Sequence, residues 1–449
     1  MKNIYTHIIF IGFIFLFSLE INAQRDFMLQ NGIEKQTISF KLLSNLIVFP
    51  MQVNGKELNF ILDSGVGATI LFNLNPSDSL NLRNIEKIKL QGLGQEAPVD
   101  AILSRGNELS LTNIKSNNEK LYVIFNDGFD LSSKLGTTIH GIIGYELFKS
   151  FTIRINYSSR RLTFYDTAFY EYKICKNCEV FPLEFNMMKP YINVAVVLKE
   201  APTKKVPVKL LIDSGGSDAM WLFENSHPDI VPPLNYFEDY LGEGLSGVIY
   251  GKRTMIESLQ IGKFLLKNPT VSYPDSLSVA HALRFEERNG SLGASILKRF
   301  VVTFDYKNNR LLLKKGGHFN DAFRYNMSGI ELVYNGKVLV KEKEAYNTLG
   351  AYGENQQASN TTVSINTNYK YTFKPTYKIY KVSPGSPAAI AGIKDGDVLI
   401  KINGKYTFNL KLEEIVHQFY QKENTKINVV IERNGIDYQY SFRLKNQLK

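Results

Sequence analysis

The sequence predicts a mainly β protein made of two repeated lobes and followed by a smaller α+β domain. Three observations carry this reading. Tyr and Phe are abundant, at 25 and 29 of 449 residues, while the apolar runs are short and Asn/Gly/Ser turns interrupt them often, as in strand-rich proteins. One stretch, Asn59 to Thr69, returns in altered form as Lys209 to Ala219, 150 positions later. From about Ala322 the texture changes to two short helical patterns set between alternating strands.

A chain of this length exceeds one ordinary core and suggests three domains. Its 53 Lys and Arg against 43 Asp and Glu give a net charge of +10, spread along the sequence. Nucleic-acid binding calls for a basic block or stripe, so no nucleic-acid partner is expected. At the N-terminus Lys2 precedes an apolar run, Ile8 to Phe17, and Asn22-Ala23-Gln24 follows. The run is short for a bilayer span, and the pattern is that of a secretory signal, residues 1–23, with cleavage expected after Ala23 and an uncleaved anchor as the alternative. The mature protein is therefore expected to be exported, periplasmic or secreted, with no further membrane span. Cys175 and Cys178 are the only cysteines. They read first as an incidental pair in a connector, with a small local disulfide as the alternative in an exported protein; one pair makes no structural zinc site, and neither metal nor cofactor is expected.

In chain order, Thr37 to Val53 alternates around Pro50 as a strand pair, and Asn54-Gly55 marks a two-residue hairpin. The strand Leu58 to Leu62 then delivers Asp63 into Asp63-Ser64-Gly65. A glycine-spaced loop, Gly92-Leu93-Gly94, follows between strand-like segments, and Ile142-Ile143-Gly144 precedes an amphipathic stretch, Tyr145 to Phe151. A hairpin from Thr152 to Tyr165 closes the first set. The second set repeats the order: strands from Phe181 to Val197, Asp213-Ser214-Gly215, the loop Gly242-Glu243-Gly244, Ser291-Leu292-Gly293 before Ala294 to Phe300, and a hairpin from Val301 to Leu313. The offsets agree. Gly92 and Gly94 lie 29 and 31 after Asp63, and Gly242 and Gly244 lie 29 and 31 after Asp213. Gly144 and Gly293 lie 81 and 80 after their Asp, and Phe151/Phe300 and Tyr157/Tyr306 keep a spacing of 149. Ordered features repeated with a one-residue slip indicate duplicated lobes, here 24–172 and 173–317.

Each set of motifs resembles a lobe of a retropepsin-like aspartic protease: apolar-apolar-Asp-Ser-Gly, a Gly-bearing flap about thirty residues on, and apolar-apolar-Gly before a short helix. The resemblance implies two lobes of closed β-barrel type that form a bilobal cleft in one chain, expected as a monomer. Asp63 and Asp213 would be the catalytic pair, activating a water to hydrolyse peptide bonds of a polypeptide substrate. Two close carboxyls divide acid and base roles because both cannot ionise cheaply. Ser64 and Ser214 would buttress the pair, Gly65 and Gly215 would let backbone approach substrate, and Gly92, Gly94, Gly242 and Gly244 would serve flaps that close over it. Taken singly, an Asp-Ser-Gly is an ordinary turn, Trp221 is core packing or a pocket wall, and His140 is a surface residue.

The third domain, 322–446, resembles a bacterial PDZ domain. Ser383-Pro384-Gly385-Ser386-Pro387-Ala388-Ala389 to Gly392 reads as a helix with Ser at its N-cap and Gly at its end. Asp395-Gly396-Asp397 and an alternating strand follow, and Leu412, Ile415, Val416 and Phe419 share one helix face. The resemblance implies a groove that binds peptide or protein C-termini, using Ser328, Gly329 and Ile330 of the loop and strand from Met327 to Leu332, and Leu412 on the helix. Gly350 to Asn368 is expected to be a loop inside this domain. The alternative function is a non-catalytic periplasmic scaffold that binds peptides in the same cleft and groove. A serine or cysteine hydrolase is disfavoured, because no Gly-x-Ser-x-Gly elbow occurs.

Overall fold

The computed structural model describes residues 27–74, 79–125, 130–172, 175–343 and 369–448. The signal segment 1–23 and the loop Gly350 to Asn368 fall outside the described residues. Within those, no helix is long and apolar enough to cross a membrane. The chain divides into two compact units. The first holds the described residues through Asp130, Ile139–Phe323 and Leu448; the second holds Leu131–Thr138 and Arg324–Gln447.

In the first unit each half carries one large sheet, and the two sheets share an order. In the first half, Lys56–Leu62 pairs antiparallel with Leu46–Val53 and parallel with Gly141–Ile143. Gly141–Ile143 pairs antiparallel with Thr69–Leu71, which runs parallel to Ile114–Ile124. In the second half, Lys205–Asp213 pairs with Lys189–Val197 and Gly290–Gly293, which continues to Met220–Leu222 and Thr270–Pro274 in the same senses. The repeat in the motifs is thus a repeat in topology. Asn54-Gly55 forms the expected hairpin turn, with Val53 opposite Lys56 and φ of 49° and 87°. Pro50 lies inside Leu46–Val53 rather than between two strands. The amphipathic stretches become short helices, Tyr145–Ser150 and Ala294–Leu297.

The two closing hairpins do more than end their halves. Thr152–Asn156 pairs antiparallel with Phe300–Asp305, joining both hairpins into one six-stranded sheet. Arg154 faces Thr303, its own counterpart, since 303 − 154 = 149, and Ile153 faces Phe304 as Ile155 faces Val302. That register places a local twofold axis at Arg154/Thr303. A single buried core runs through both halves. In it Phe148 of the first-half helix stacks on Tyr306, ring centroids 5.1 Å apart, and meets Phe304 edge-on at 4.9 Å. Cys175 and Cys178 are joined in a disulfide with Cα atoms 5.2 Å apart. The incidental-pair reading gives way to a closed loop just before Cys178–Pro182, a strand of the shared sheet.

The second unit contains one sheet in the order Ile330–Lys343, Tyr369–Val382, Val398–Ile402, Lys426–Arg433, Ile436–Arg443. Ser386 caps the helix Pro387–Ala391 by accepting from Ala389 N–H at 3.2 Å, and Gly392 ends it with φ 94°. Leu412–Val416 is helical, with Leu412, Ile415 and Phe419 buried as the spacing required. Asp397, 1% exposed, accepts from Arg433 Nε at 2.6 Å and Nη2 at 2.7 Å and from Lys394 N–H at 2.9 Å. Arg433→Ala strands that carboxylate and is expected to lower the stability of this unit by about 2 kcal/mol. Urea denaturation checks it; an unchanged midpoint would remove the pair from the account.

Candidate active site

Asp63 directly follows the strand Lys56–Leu62 and Asp213 ends the equivalent strand Lys205–Asp213, and each sheet holds its Asp in place through the neighbouring parallel strand. Asp63 N–H donates to Ile143 O at 2.9 Å, and Asp213 lies opposite Gly293. The glycines before the two helices are required by close approach. A Cβ on Gly144 would collide with Asp63 O, and one on Gly293 with Asp218 O.

The two turns are locked together by four hydrogen bonds. Ser64 N–H donates to Ser214 Oγ at 2.9 Å and Ser214 N–H to Ser64 Oγ at 3.0 Å. Ser64 Oγ–H donates to Ile212 O at 2.7 Å and Ser214 Oγ–H to Leu62 O at 2.9 Å. Both serines are 0% exposed, so each donor and acceptor depends on its partner across the axis. The carboxyls converge in consequence. A Cβ on Gly65 would stand 3.1 Å from Asp63 Oδ1 and 3.2 Å from Asp213 Oδ1, and one on Gly215 would overlap Asp63.

The halves are nevertheless unequal. Asp213 Oδ1 accepts two backbone bonds, from Gly215 N–H at 3.1 Å and Gly216 N–H at 2.8 Å; Asp63 Oδ1 accepts from Gly65 N–H at 2.6 Å. Burial and the charge of Asp213 push the Asp63 carboxyl up to about 8, against the smaller opposing pull of the Gly65 N–H and Lys189. Lys189 is a site residue the motifs did not reveal. It opens Lys189–Val197 after a turn at Met187 and Met188, both at positive φ, and the Met187 carbonyl stands 3.4 Å from a Cβ on Gly67. Burial and the charge of Arg288 lower the Lys189 ammonium, while Asp63 and Asp213 raise it. Arg288 is itself 5% exposed, held by Gly290 O at 3.1 Å and Ser291 Oγ at 2.7 Å. Nothing in a lone Lys or Arg outside the repeat could have marked either.

The glycine loops lie at hairpin tips that meet. Gly92 and Gly94 sit in the turn between Glu86–Leu90 and Val99–Leu111; Gly242 and Gly244 lie within the strand Phe237–Gly244 rather than in a loop. Ser246 N–H donates to Leu93 O at 2.8 Å, Glu96 N–H to Ser246 O at 2.8 Å, and Gly92 N–H to Ser246 Oγ at 3.1 Å. Gly94 N–H reaches Ser278 O at 2.9 Å. Ser246, 0% exposed between the tips, was not anticipated. Trp221 is neither simple core nor bare pocket wall: its Nε1–H donates to Asp218 at 3.0 Å. Asp218 also accepts from Ser272 and from Arg253, whose Nε holds Asp239 at 2.6 Å, tying the Asp213 turn to the second hairpin. His140 is half-buried and accepts from Asn59 N–H at 3.0 Å. Among the described residues no cluster of His, Cys, Asp and Glu could hold a metal ion.

In the second unit Gly329, at φ 76°, lets the loop pass over Ser386, where a Cβ would collide. Ile330 and Leu412 are buried. Two loop amides are already engaged: Ser328 N–H donates to Asn326 Oδ1 and Ile330 N–H to Ser328 Oγ, both at 3.0 Å.

Two predictions follow from this geometry. Ser64→Ala strands the Ser214 amide and is expected to cost about 2 kcal/mol, measured by chemical denaturation; wild-type stability would contradict it. The raised Asp63 binds its proton in the folded state up to about pH 8 but releases it near the ordinary carboxylate value of 3.8 when unfolded. The folded state therefore holds more protons in that window, and stability falls as pH rises through it. Asp63→Asn should flatten that slope in melting curves taken from pH 4 to 8.

A family model described as an aspartyl protease matches residues 49–147, and one described as a PDZ domain matches 378–433. Among curated proteins, the "Probable CtpA-like serine protease" of Staphylococcus aureus strains COL and N315 is 39% identical over 64 residues. That overlap is 14% of this chain and 13% of each relative, so the chain spans a small part of their length. The matched regions coincide with the Asp63 turn and with the capped-helix motif from Ser383, and the chain carries a retropepsin-like aspartyl-protease domain and a PDZ domain.

Proposed function

We propose that this protein is an exported, monomeric aspartic endopeptidase that hydrolyses polypeptides through Asp63 and Asp213, with its PDZ domain binding peptide or protein C-termini. The observation that carries the reading is the reciprocal Ser64/Ser214 network, which brings the two carboxyls together while burial and the charge of Asp213 raise the Asp63 carboxyl. Asp213, whose Oδ1 is fixed by two N–H donors, is placed to draw a proton from water. Asp63 keeps a proton at neutral pH and can donate it to the carbonyl oxygen of the scissile bond. The water attacks the carbonyl carbon and its proton passes to Asp213; as the tetrahedral diol collapses, Asp213 gives that proton to the leaving nitrogen and a diol hydroxyl returns one to Asp63, leaving a carboxylic acid and an amine. The joined hairpin tips would have to part for a chain to enter and would then exclude water around it.

The serine chemistry named in the Staphylococcus relatives is tested alongside. Asp63→Asn and Asp213→Asn are each expected to reduce kcat on an unfolded-protein substrate at least a thousandfold, while a serine-reactive phosphonate leaves wild-type activity intact. Full activity in both variants, or loss on phosphonate treatment, would end the aspartic reading. Absence of cleavage by wild type from acid to neutral pH would favour the peptide-binding scaffold. Activity should fall as pH rises through about 8, where Asp63 loses its proton. Lys189 draws that value down, so Lys189→Met should move the alkaline limb upward, read from kcat against pH.

A further inference from the structure

The PDZ-containing unit includes eight residues from far upstream. Leu131–Thr138 joins Arg324–Gln447, while the chain on either side belongs to the first unit. The helix Leu131–Leu135 packs against the strand Ile330–Lys343. The residue after it, Gly136, has φ 65°, and a Cβ there would stand 3.1 Å from Leu412 Cβ. Lys134 Nζ lies 5.0 Å from the ring centroid of Tyr380, next to the bulge that offsets Glu331 from Leu332. A peptide that augments a PDZ sheet lies between the edge strand and the helix beside it. Here those walls are Ile330–Lys343 and Leu412–Val416, and the upstream segment touches both.

We infer that Leu131–Thr138 occupies the PDZ groove as an internal ligand, and that an external C-terminal peptide binds there only by displacing it. Among the described residues Ile330–Lys343 forms a ladder on one edge alone, with Tyr369–Val382. The segment takes up groove space as a helix and turn without adding a strand to the other edge, so it forgoes the main-chain ladder an extended peptide would make. It is a tethered competitor: its effective concentration is of millimolar order, and the apparent affinity for an outside peptide is reduced by the fraction of grooves left open. The carboxylate end is guarded as well, since the Ser328 and Ile330 amides are engaged within the loop. The occupant of choice is a free C-terminus with an apolar last residue, because the Leu412 side chain stands where the segment meets the helix.

The test uses the full chain in an Asp63→Asn background, so that probes are not consumed if the protein cleaves them. A pool of fluorescent heptapeptides with free, apolar C-terminal residues is titrated by polarisation, with C-terminal amides as control. Gly136→Leu, which cannot keep the φ of Gly136 or its spacing to Leu412, should bind the pool at least tenfold more tightly than the parent. A Gly136→Cys/Leu412→Cys pair supplies the converse. Its oxidised form should lose the pool and its reduced form regain it, with single-cysteine variants unaffected by redox state. Equal affinity of parent and Gly136→Leu, no binding by Gly136→Leu with an unchanged melting temperature, or equal binding by the oxidised and reduced pair would each overturn the inference. None of these readouts depends on whether the dyad cleaves peptides.

Discussion

The exchange of hydrogen bonds between Ser64 and Ser214 is the constraint on which the first unit turns. Each hydroxyl accepts one amide and donates to one carbonyl on the other side of the axis, with no water able to substitute at 0% exposure. Such a bond set can be satisfied only if both strands end at the same depth and both turns have the same shape. The duplicated sheet order and the self-facing register at Arg154/Thr303 supply that equality, and the Phe148/Tyr306 stack keeps the halves from sliding.

Within this near-symmetry the chemistry is asymmetric by small means. Burial and the charge of Asp213 raise the Asp63 carboxyl, a lysine delivered by a turn in the second half opposes them, and Asp213 accepts one more backbone amide than Asp63 does. Position 218 holds an Asp that gathers Trp221, Ser272 and Arg253, while its counterpart 150 residues earlier is Ala68. Tyr306 OH reaches Ser64 O at 3.5 Å, yet the hydroxyl of Tyr157, its counterpart, is buried with no hydrogen-bond partner among the described residues. Duplication sets the frame, and local substitution assigns the roles. The division of labour in a proton-sharing pair requires that difference.

The hairpin tips follow the same logic. Glycines at matched offsets mark where backbone comes close, and the tips do meet through Ser246, Leu93 and Gly92. Gly242 and Gly244 nonetheless belong to a strand with a bulge at Tyr240/Gly242, because a glycine spaced by one residue can relieve a bulge as readily as it can form a loop.

Local pattern determined a good deal on its own: the mainly β class, the twofold repeat, the hairpin at Asn54-Gly55, the capped helix after Ser386, and the face of Leu412, Ile415 and Phe419. Apart from the repeat, which shows as ordered motifs matched 149 to 150 residues apart, each follows from backbone preference or periodicity acting over a few residues, which is what a sequence displays directly. Tertiary structure alone decided which distant groups meet. Ser64 and Ser214 cross the axis, Lys189 and Arg288 stand by the carboxyls, Cys175 and Cys178 close a loop, and Leu131–Thr138 leaves its neighbours to join the PDZ unit. Those meetings are set by strand register and burial summed over the whole chain, and no short window contains them.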